Sequence, residues 1–559
     1  MTHTHWKLLP EAENPLLFRG TGTLVSRLLY NRGINDPSEA EIFLKADKRL
    51  AIDPFSVPDM HAAVNRVYKA LFSGEKIAIY GDFDADGITA TALLVQGLGE
   101  LGGDVVPYIP HRIQEGYGLR VPALEKLRKQ GVTLVITVDT GITAFTEIEK
   151  ARKMGMEILV TDHHVPLDEL PPASIIVDPK RTDSVCPFKE FAGVGVAFKL
   201  LEGLLSGSRR DDLLNNSLEL VTLGTITDMV PLVSENRHWV KSGLHVLNKT
   251  RRIGLVELMN AAGIEKSRLT AETISYQIGP RLNSAGRLDD AGTSYQLLVT
   301  QDREQARILA ADLEEKNRER QRLVAETFDK ARRQIMEDGA ERVILMASDA
   351  DYPPGVIGLV AGRLADEFYR PVILLKIGAE TCRGSARSIP EFDLMEALKS
   401  CHHLLTKYGG HARAAGFNMH TRDMQLLQKR LRSLAEEQLT GLDLRPHVDI
   451  DAEVSLSAFA GGTFEEMRQL EPFGMGNPIP VFLSRKVEVV EQKLVGSQND
   501  HIKLKLRQDG ITWDTMGFRM GNYLGELARH IDIVYSVEVD NYNDKGQLRL
   551  NLIDFARSY

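Results

Sequence analysis

Tyr80-Gly81-Asp82-Phe83-Asp84-Ala85-Asp86-Gly87 decides how this chain is read. It follows the apolar run Lys76-Ile77-Ala78-Ile79-Tyr80 and sets three carboxylates within five residues. Two like charges about 4 Å apart cost about 4 kcal/mol at an effective dielectric of about 20. Acids crowded at the end of a strand therefore call for a cation. Taken alone, the same stretch also reads as a solvated acidic loop.

Working outward, short β-branched runs alternate with amphipathic ones. Val105-Val106-Pro107-Tyr108-Ile109, Thr133-Leu134-Val135-Ile136-Thr137-Val138, Glu157-Ile158-Leu159-Val160 and Ser174-Ile175-Ile176-Val177 follow the first run, with helical patterns over residues 121–130 and 145–154. This series predicts a parallel sheet with helices on both faces. In such a sheet ligand groups gather past the carboxyl ends of the strands. The third strand ends at Val138-Asp139-Thr140-Gly141 and the fourth at Thr161-Asp162-His163-His164, so both should meet the first acidic run at one edge. Asp228, in Gly224-Thr225-Ile226-Thr227-Asp228-Met229-Val230-Pro231, must come from a neighbouring helix or loop. Carboxylates with imidazoles and no thiolate suit Mn²⁺ or Mg²⁺ better than structural zinc. An aspartate bridging two ions about 3.5–4 Å apart would make a two-metal hydrolase site.

Residues 1–47 read as a helical segment of structural role, with a helix start at Asp36-Pro37-Ser38-Glu39. The first α/β domain is expected over 48–300. Residues 302–338 hold no Pro or Gly, and Leu309, Leu313, Val324, Phe328, Ala331 and Ile335 recur at helical spacing. The stripe turns polar at Asn317 and Arg320, which fits a helix (301–338) crossing between domains; an ordinary surface helix is the other reading. Gly339 ends it, and a second α/β pattern fills 339–440, with strands at residues 342–346 and 371–375. Over 441–559 strands dominate, predicting a small β-barrel or sandwich.

Hydrophobic residues make up 43% of the 559 and charged residues 26%, ordinary values for a chain of several globular domains. Cys186, Cys382 and Cys401 form no disulfide framework or C-x-x-C pair, which points to the reducing cytoplasm. No run approaches the ~18 apolar residues of a membrane span, and residues 1–10 lack the pattern of a secretory leader. With 68 basic against 77 acidic side chains the net charge is −9. That excludes a protein coated in positive charge for nonspecific nucleic-acid binding, but not a local basic groove. Residues 441–559 alone carry 13 basic and 18 acidic side chains.

The acidic motifs, taken with Asp162-His163-His164 and Asp228, resemble the four signature motifs of DHH phosphoesterases. The resemblance continues along the chain. Gly279-Pro280-Arg281-Leu282-Asn283-Ser284-Ala285-Gly286-Arg287 is similar to the segment after the family's core. Pro354-Gly355-Val356-Ile357-Gly358, Gly384-Ser385-Ala386-Arg387-Ser388 and Gly409-Gly410-His411 resemble its DHHA1 domain. Leu470-Glu471-Pro472-Phe473-Gly474-Met475-Gly476-Asn477-Pro478 resembles the start of an OB domain in its single-strand-specific DNA exonucleases. One departure stands out: the family often has aromatic-His before Pro-Gly-Val, where this chain has Tyr352-Pro353.

The resemblance implies an α/β fold, with a parallel-sheet DHH domain joined by a long helix to a smaller α/β DHHA1 domain and a C-terminal OB-like β-barrel. It implies a 5′→3′ exonuclease that hydrolyses single-stranded DNA with two Mn²⁺ or Mg²⁺ ions, in DNA repair and recombination. Asp82, Asp84, Asp86, Asp139, His163 and Asp228 are the implied metal ligands. Asp139, as a bridge, is also catalytic with His163 and His164, and His164 would touch an ion or the phosphate. Ser385, Arg387, His411 and Arg413 offer donors for phosphate. Arg281, Asn283 and Arg287 form a basic cluster in a turn-like segment. His111, Arg112 and Tyr117 suit phosphate and base contacts; a loop packed on its own domain is the other reading. His501, Lys503 and Lys505 alternate on one strand and, with Arg485 and Lys486, would line a single-strand groove; a structural or protein-docking barrel is the alternative. Two domains joined by a helix are expected to leave a channel for one flexible strand. Single-strand-binding protein and a helicase are the candidate partners, a monomer is the expected state, and no membrane is involved. Two rivals stay open: a DHH phosphoesterase acting on short oligonucleotides or nucleotide phosphates, and an inactive replication scaffold. A scaffold would be marked by a lost metal carboxylate, and all are present.

Overall fold

Apolar, β-branched runs build the first sheet: β1 (Lys76–Tyr80), β2 (Asp104–Tyr108), β3 (Val132–Thr137), β4 (Glu157–Thr161) and β5 (Ile175–Val177). The computed structural model describes residues 4–11, 18, 21–112, 114–496, 498–540 and 546–558, so three residues of the stretch read for a leader lie outside the described residues. The strand order is β2-β1-β3-β4-β5 and every pairing is parallel. Ile77 to Tyr80 are wholly buried, as a sheet covered on both faces requires. Helices Met60–Ser73, Ala85–Glu100 and Gly193–Leu205 pack against Ile77, Ile79 and Ile136 on one face. Helices Val121–Lys129 and Phe145–Lys153 cover Ala78, Tyr80 and Val135 on the other. The chain leaves β1 for one side and returns to β3 on the other, which opens a crevice at their carboxyl ends.

The chain divides into two units, Met1–Leu313 with His447–Tyr559, and Glu314–Pro446. The helix Arg303–Asp338 contributes to both. Ala306, Ala310 and Leu313 join the core of the first unit, and Val324, Ala331 and Ile335 that of the second. The polar break in its stripe therefore marks a change of packing partner. There the Arg320 guanidinium donates to Asn317 Oδ1 at 2.8 Å.

In the second unit β6 (Leu345–Asp349), β7 (Val372–Lys376), β8 (Thr381–Arg387), β9 (Lys407–His411) and β10 (Ala414–His420) form a mixed sheet of order β9-β10-β8-β7-β6. Only β6 and β7 run parallel. The first of these strands starts at Leu345, three residues later than the sequence suggests. Gly384, Gly409, Gly410 and Gly416 lie within β8–β10, strands that the apolar pattern of the sequence does not display. Tyr352 is buried, and its hydroxyl meets Gln334 Oε1 at 2.8 Å. The aromatic half of the departing Tyr-Pro pair is thus a core anchor on the long helix.

The C-terminal strands β11 (Phe482–Val495), β12 (His501–Gln508), β13 (Ile511–Gly517), β14 (His530–Val539) and β15 (Leu548–Arg557) pair in the order β11-β12-β13-β15-β14. β14 also pairs with β11, which closes a five-stranded barrel. Ile502, Leu504 and Leu506 of β12 are buried inside, so Lys503 and Lys505 face outward. The amino-terminal residues belong to this region. His5–Leu8 pairs with His447–Ile450, and Leu28 and Leu29 share a core with Phe459 and Phe482. Each such fully buried side chain contributes about 1.5–3 kcal/mol. The expected helix is present as Pro37–Lys45, capped by Asp36 through the Ser38 and Glu39 amides.

Candidate metal centre

The acidic loop leaves β1 and turns at once into a helix. Asp84 caps Ala85–Glu100, its Oδ1 accepting from the amides of Asp86 (3.0 Å) and Gly87 (3.1 Å). Asp86 points the other way. Its two oxygens accept from the amides of Gly193 (2.6 Å) and Val194 (2.8 Å), the first turn of Gly193–Leu205. A side chain at Gly193 is impossible, because a Cβ there would lie 2.5 Å from Asp139 Cβ. Asp82 is buried, and its Oδ1 has no hydrogen-bond partner.

Asp139 follows β3 with φ +59°, a left-handed conformation that aspartate adopts more readily than most residues. Such strain concentrates at functional sites. Its Oδ1 lies 3.0 Å from His163 Nε2. Asp162, after β4, accepts from the amides of Ile142 (3.0 Å), His163 (2.8 Å) and His164 (3.2 Å), and its Oδ1 is 2.8 Å from His164 Nδ1. Asp228 caps the carboxyl end of Asp211–Thr227 and brings Oδ2 to 3.7 Å from His163 Nδ1. The sheet edge thus gathers all four motifs. Asp82, Asp84 and Asp139 form one group of donors within 4.8 Å of one another, Asp86, His163 and Asp228 a second, and Asp139, Asp162, His163 and His164 a third. Asp139 and His163 each belong to two groups.

Burial first, then the neighbouring acids, push Asp82 and Asp139 well above the usual carboxylate range, Asp86 up to about 7 and Asp228 up to about 9. Burial opposes the charge on Asp162 too, but His164, His163 and the backbone amides outweigh it and hold its pKa at about 2. Burial likewise opposes charge on His164, yet Asp162 beside it raises it to about 9. His163 is held down to about 3 by burial and by His164. Neutral imidazole is the form that ligates a metal. Asp82 Oδ1, His163 Nδ1 and Asp228 Oδ2 are buried without hydrogen-bond partners. Unpaired buried polar atoms are costly, and divalent cations in the two donor groups to which these residues belong would satisfy them. Oxygen-rich donors with imidazole fit Mn²⁺ or Mg²⁺.

The basic cluster at 279–287 lies on a helix, Gly279–Leu288, rather than on a turn-like segment. A π-helical turn, Ile274–Ile278, runs directly into it, so Pro280 stands where the backbone changes from π to α bonding. Asn283 Oδ1 accepts from Ala85 N at 2.8 Å, so this side chain supports the acidic loop. A Cβ on Gly286 would lie 2.5 Å from the Phe83 carbonyl oxygen, so the helix lies directly on that loop. Arg281 donates to Gln277 O at 2.8 Å, and Arg287 sits in the last turn. Arg112 stacks 4.8 Å above the Phe83 ring. Glu115 takes the Tyr108 hydroxyl at 2.7 Å and the His111 amide at 2.9 Å. Tyr117 is 42% exposed, and its ring stands 6.1 Å from His164, edge to face.

In the second unit, cross-strand register places His411, Ala414 and Arg387 side by side. Ser385, two residues back on β8, shares that face with Arg387 and His411. Arg413 donates from Nε to Ser388 O at 3.0 Å. On the barrel, Arg485 pairs with Glu453 (3.0 Å) and Asp532 (3.1 Å), and Lys505 with Glu491 (3.1 Å). Three residues of the centre escaped the sequence reading. Asp162 stands in the motif at the end of the fourth strand, where the resemblance implies roles only for the two histidines after it. Asp178 is buried just past β5 and pushed up to about 8 by burial and by Asp162; the strand-end rule applied to a fifth strand finds it. Asn236 is buried and donates to Glu190 O (2.7 Å) and Pro231 O (3.0 Å), with no sequence signal.

Family models match three stretches: the DHH family N-terminal domain over residues 76–225, the DHHA1 domain over 341–437 and the RecJ OB domain over 450–554. The single-stranded-DNA-specific exonuclease RecJ of Bacillus subtilis is 38% identical over 96% of this chain and 68% of its own length. That of Escherichia coli is 32% identical over 94% of each. The crystal structure of RecJ from Thermus thermophilus in complex with Mn²⁺ superposes with a TM-score of 0.84 at 29% identity, covering all of this chain and 80% of that one. A Mg²⁺ complex of the same protein gives 0.80 at 27%, with 100% and 79% covered. Four motifs at one sheet edge, a bridged second unit, a closed barrel and these relatives together show that the chain belongs to the RecJ family of DHH phosphoesterases.

Proposed function

We propose that this chain is a single-strand-specific DNA exonuclease that uses Mn²⁺ or Mg²⁺ and degrades its substrate from the 5′ end. One observation carries the reading: three buried donor atoms without protein partners, on Asp82, His163 and Asp228, converge with Asp139 at one sheet edge. The activity printed for the relatives, single-stranded-DNA-specific exonuclease, supports the substrate. Asp82, Asp84, Asp86, Asp139, His163 and Asp228 would hold the ions, and Asp139, which belongs to two donor groups as His163 does, is the carboxylate best placed to serve both. Two such ions, when bound, place positive charge against the phosphodiester oxygens and activate water.

The chain's own part is positioning. Amides at Gly193 and Val194 aim Asp86, and amides around Asp162 hold the His163-His164 turn. His164, kept protonated by Asp162, offers a charged donor to a phosphate oxygen. Tyr117 offers an open ring for a base. Arg112, Arg281 and Arg287 in the first unit and Ser385, Arg387, His411 and Arg413 in the second are assigned to the DNA backbone, and Asn283 to the acidic loop. Among the described residues no helix is long and apolar enough to cross a membrane, and the three cysteines are free and buried. Both facts support a cytoplasmic site of action. A helicase that supplies single strands and a single-strand-binding protein that coats them are the proposed partners.

End-labelled digestion tests the reading. With Mn²⁺, 5′-labelled single-stranded DNA should lose its label as mononucleotide, and duplex DNA should persist. An intact single strand, or attack confined to the 3′ end, would overturn it. Faster turnover of dinucleotides than of long strands would favour the short-oligonucleotide rival.

A further inference from the structure

Asp228 stands apart from the other acids in how it is held. It ends a helix, and the turn after it has no regular structure until Ser234–Leu247 begins. Met229 (φ +62°) and Ser234 (φ +49°) both adopt left-handed backbone there. Non-glycine residues keep such conformations only where their surroundings impose them.

The surroundings are the loop that leads into the barrel, residues 470–477. Leu232 N donates to Met475 O at 2.7 Å. A Cβ on Gly474 would lie 2.8 Å from Leu232 Cδ1, so the two segments touch. The loop is closed by paired backbone bonds between Gly474 and Asn477 (2.9 and 3.1 Å). The Asn477 amide donates to Leu470 O (2.7 Å) and Pro472 O (2.8 Å). Arg237, wholly buried, donates to the carbonyls of Phe43 (2.8 Å), Leu470 (2.8 Å), Gln469 (3.1 Å) and Glu471 (2.9 Å). Its hydrogen-bond partners are carbonyls, not a carboxylate. A desolvated cation with no carboxylate among its hydrogen-bond partners, and only the charge of Glu471 farther off, is a poor way to gain stability, whereas a rigid fork is a good way to fix a loop at several points. From the neighbouring position Asn236 ties Pro231 O to Glu190 O, three residues before the Gly193 amide that aims Asp86.

We propose that residues 470–477 are a brace for Asp228, with Arg237, Asn236 and Asn477 as positioning residues that set its place in the metal centre. The barrel's lead-in thereby becomes part of the catalytic apparatus from behind the metal ligand. The proposal rests on Asp228 being a metal ligand. Residues that orient ligands from behind are typically worth about 10–100-fold in metal affinity or activity.

The test is Mn²⁺ titration of the full chain by electron paramagnetic resonance, alongside kcat and KM on a single-stranded oligonucleotide. Arg237→Met and Gly474→Ala should each weaken Mn²⁺ about tenfold or more and lower kcat with KM little changed. Leu504→Ala, a barrel-core truncation, should lower Tm and leave Mn²⁺ affinity alone. Wild-type Mn²⁺ affinity in Gly474→Ala and in folded Arg237→Met would overturn the brace, as would equal weakening by Leu504→Ala. Should Arg237→Met fail to fold, Gly474→Ala decides alone. A wild-type protein that binds no Mn²⁺ would instead sink the metal-nuclease reading, and the brace with it.

Discussion

Asp86 and Asp162, at the carboxyl edge of the parallel sheet, accept five backbone N–H bonds between them. Glu488 and Asp532, on the barrel, are met by Arg507 (2.6 Å), Arg529 (3.3 Å) and Arg485 (3.1 Å). Amides aim a carboxylate without neutralising it, while a guanidinium neutralises it. The first region therefore holds carboxylates in place for a cation from solution, with burial keeping a proton on Asp86 up to about pH 7 and His164 meeting Asp162. The second consumes its positive charge internally, which is why residues 441–559, with 18 acidic and 13 basic side chains, present less free basic surface than their Lys and Arg suggest.

The hardest blow to that contrast would come from Asp139. Asp139→Ala should reduce cleavage more than about a thousandfold, since a single transition-state donor is already worth about 10²–10³. In metal-free buffer the same variant should melt no lower than wild type, because it removes an acid whose charge is opposed first by burial and then by Asp86, Asp84 and Asp82. Thermal melts in EDTA check this; a fall of several degrees would show Asp139 to be a structural acid after all.

Metal removal comes next. In the metal-free chain Asp86 and Asp228 retain protons that the unfolded chain releases above an ordinary value of 3.8. Their contribution is full below that value and is lost as pH rises through about 7 for Asp86 and about 9 for Asp228. His164, raised to about 9, is lost in the same direction above its ordinary 6.5. His163 and Asp162, with lowered values, act only at more acidic pH. Metal-free protein should thus melt lower at about pH 9 than at about pH 6.5, and the rise in Tm on adding Mn²⁺ should be larger at the higher pH. Mn²⁺ at one hundred times its Kd adds about 2.7 kcal/mol. A flat Tm profile in EDTA would break the contrast.

Much of the centre was legible because its parts obey a strand-end rule: Asp82, Asp139 and His163 each follow a buried apolar run that sequence displays. The bridging helix was legible for a similar reason, since its stripe fails at Asn317 where its packing partner changes. What sequence hid depends on long-range pairing. The β8–β10 strands were obscured by glycines, and the union of residues 5–8 with 447–450 left no local trace. Asn283 looks in sequence like any polar ligand to DNA. Only the fold shows it accepting from Ala85 N. Asn283→Ala should accordingly cost about 1 kcal/mol of stability as a lost helix-start acceptor. It should lower kcat about tenfold through the acidic loop and leave single-strand affinity intact. Fluorescence anisotropy with a labelled oligonucleotide in EDTA separates the outcomes, and a lost affinity would return Asn283 to the substrate.

The smallest effect is expected at Arg485, and it bears most directly on the barrel. Sequence reading placed Arg485 in a single-strand groove with His501, Lys503 and Lys505; the fold ties it to Glu453 and Asp532. Each phosphate contact in a single-strand complex adds about 0.7 to the slope of log affinity against log salt. Arg485→Ala should leave that slope unchanged and lower stability by about 0.2–1 kcal/mol, the usual worth of exposed pairs. Arg387→Ala, on the sheet face shared with Ser385 and His411, should shift the slope by that increment. Equal slopes for wild type and Arg387→Ala, with a loss at Arg485→Ala, would invert the assignment. The barrel would then be the basic surface, and its ion pairs would be contacts that open when DNA arrives.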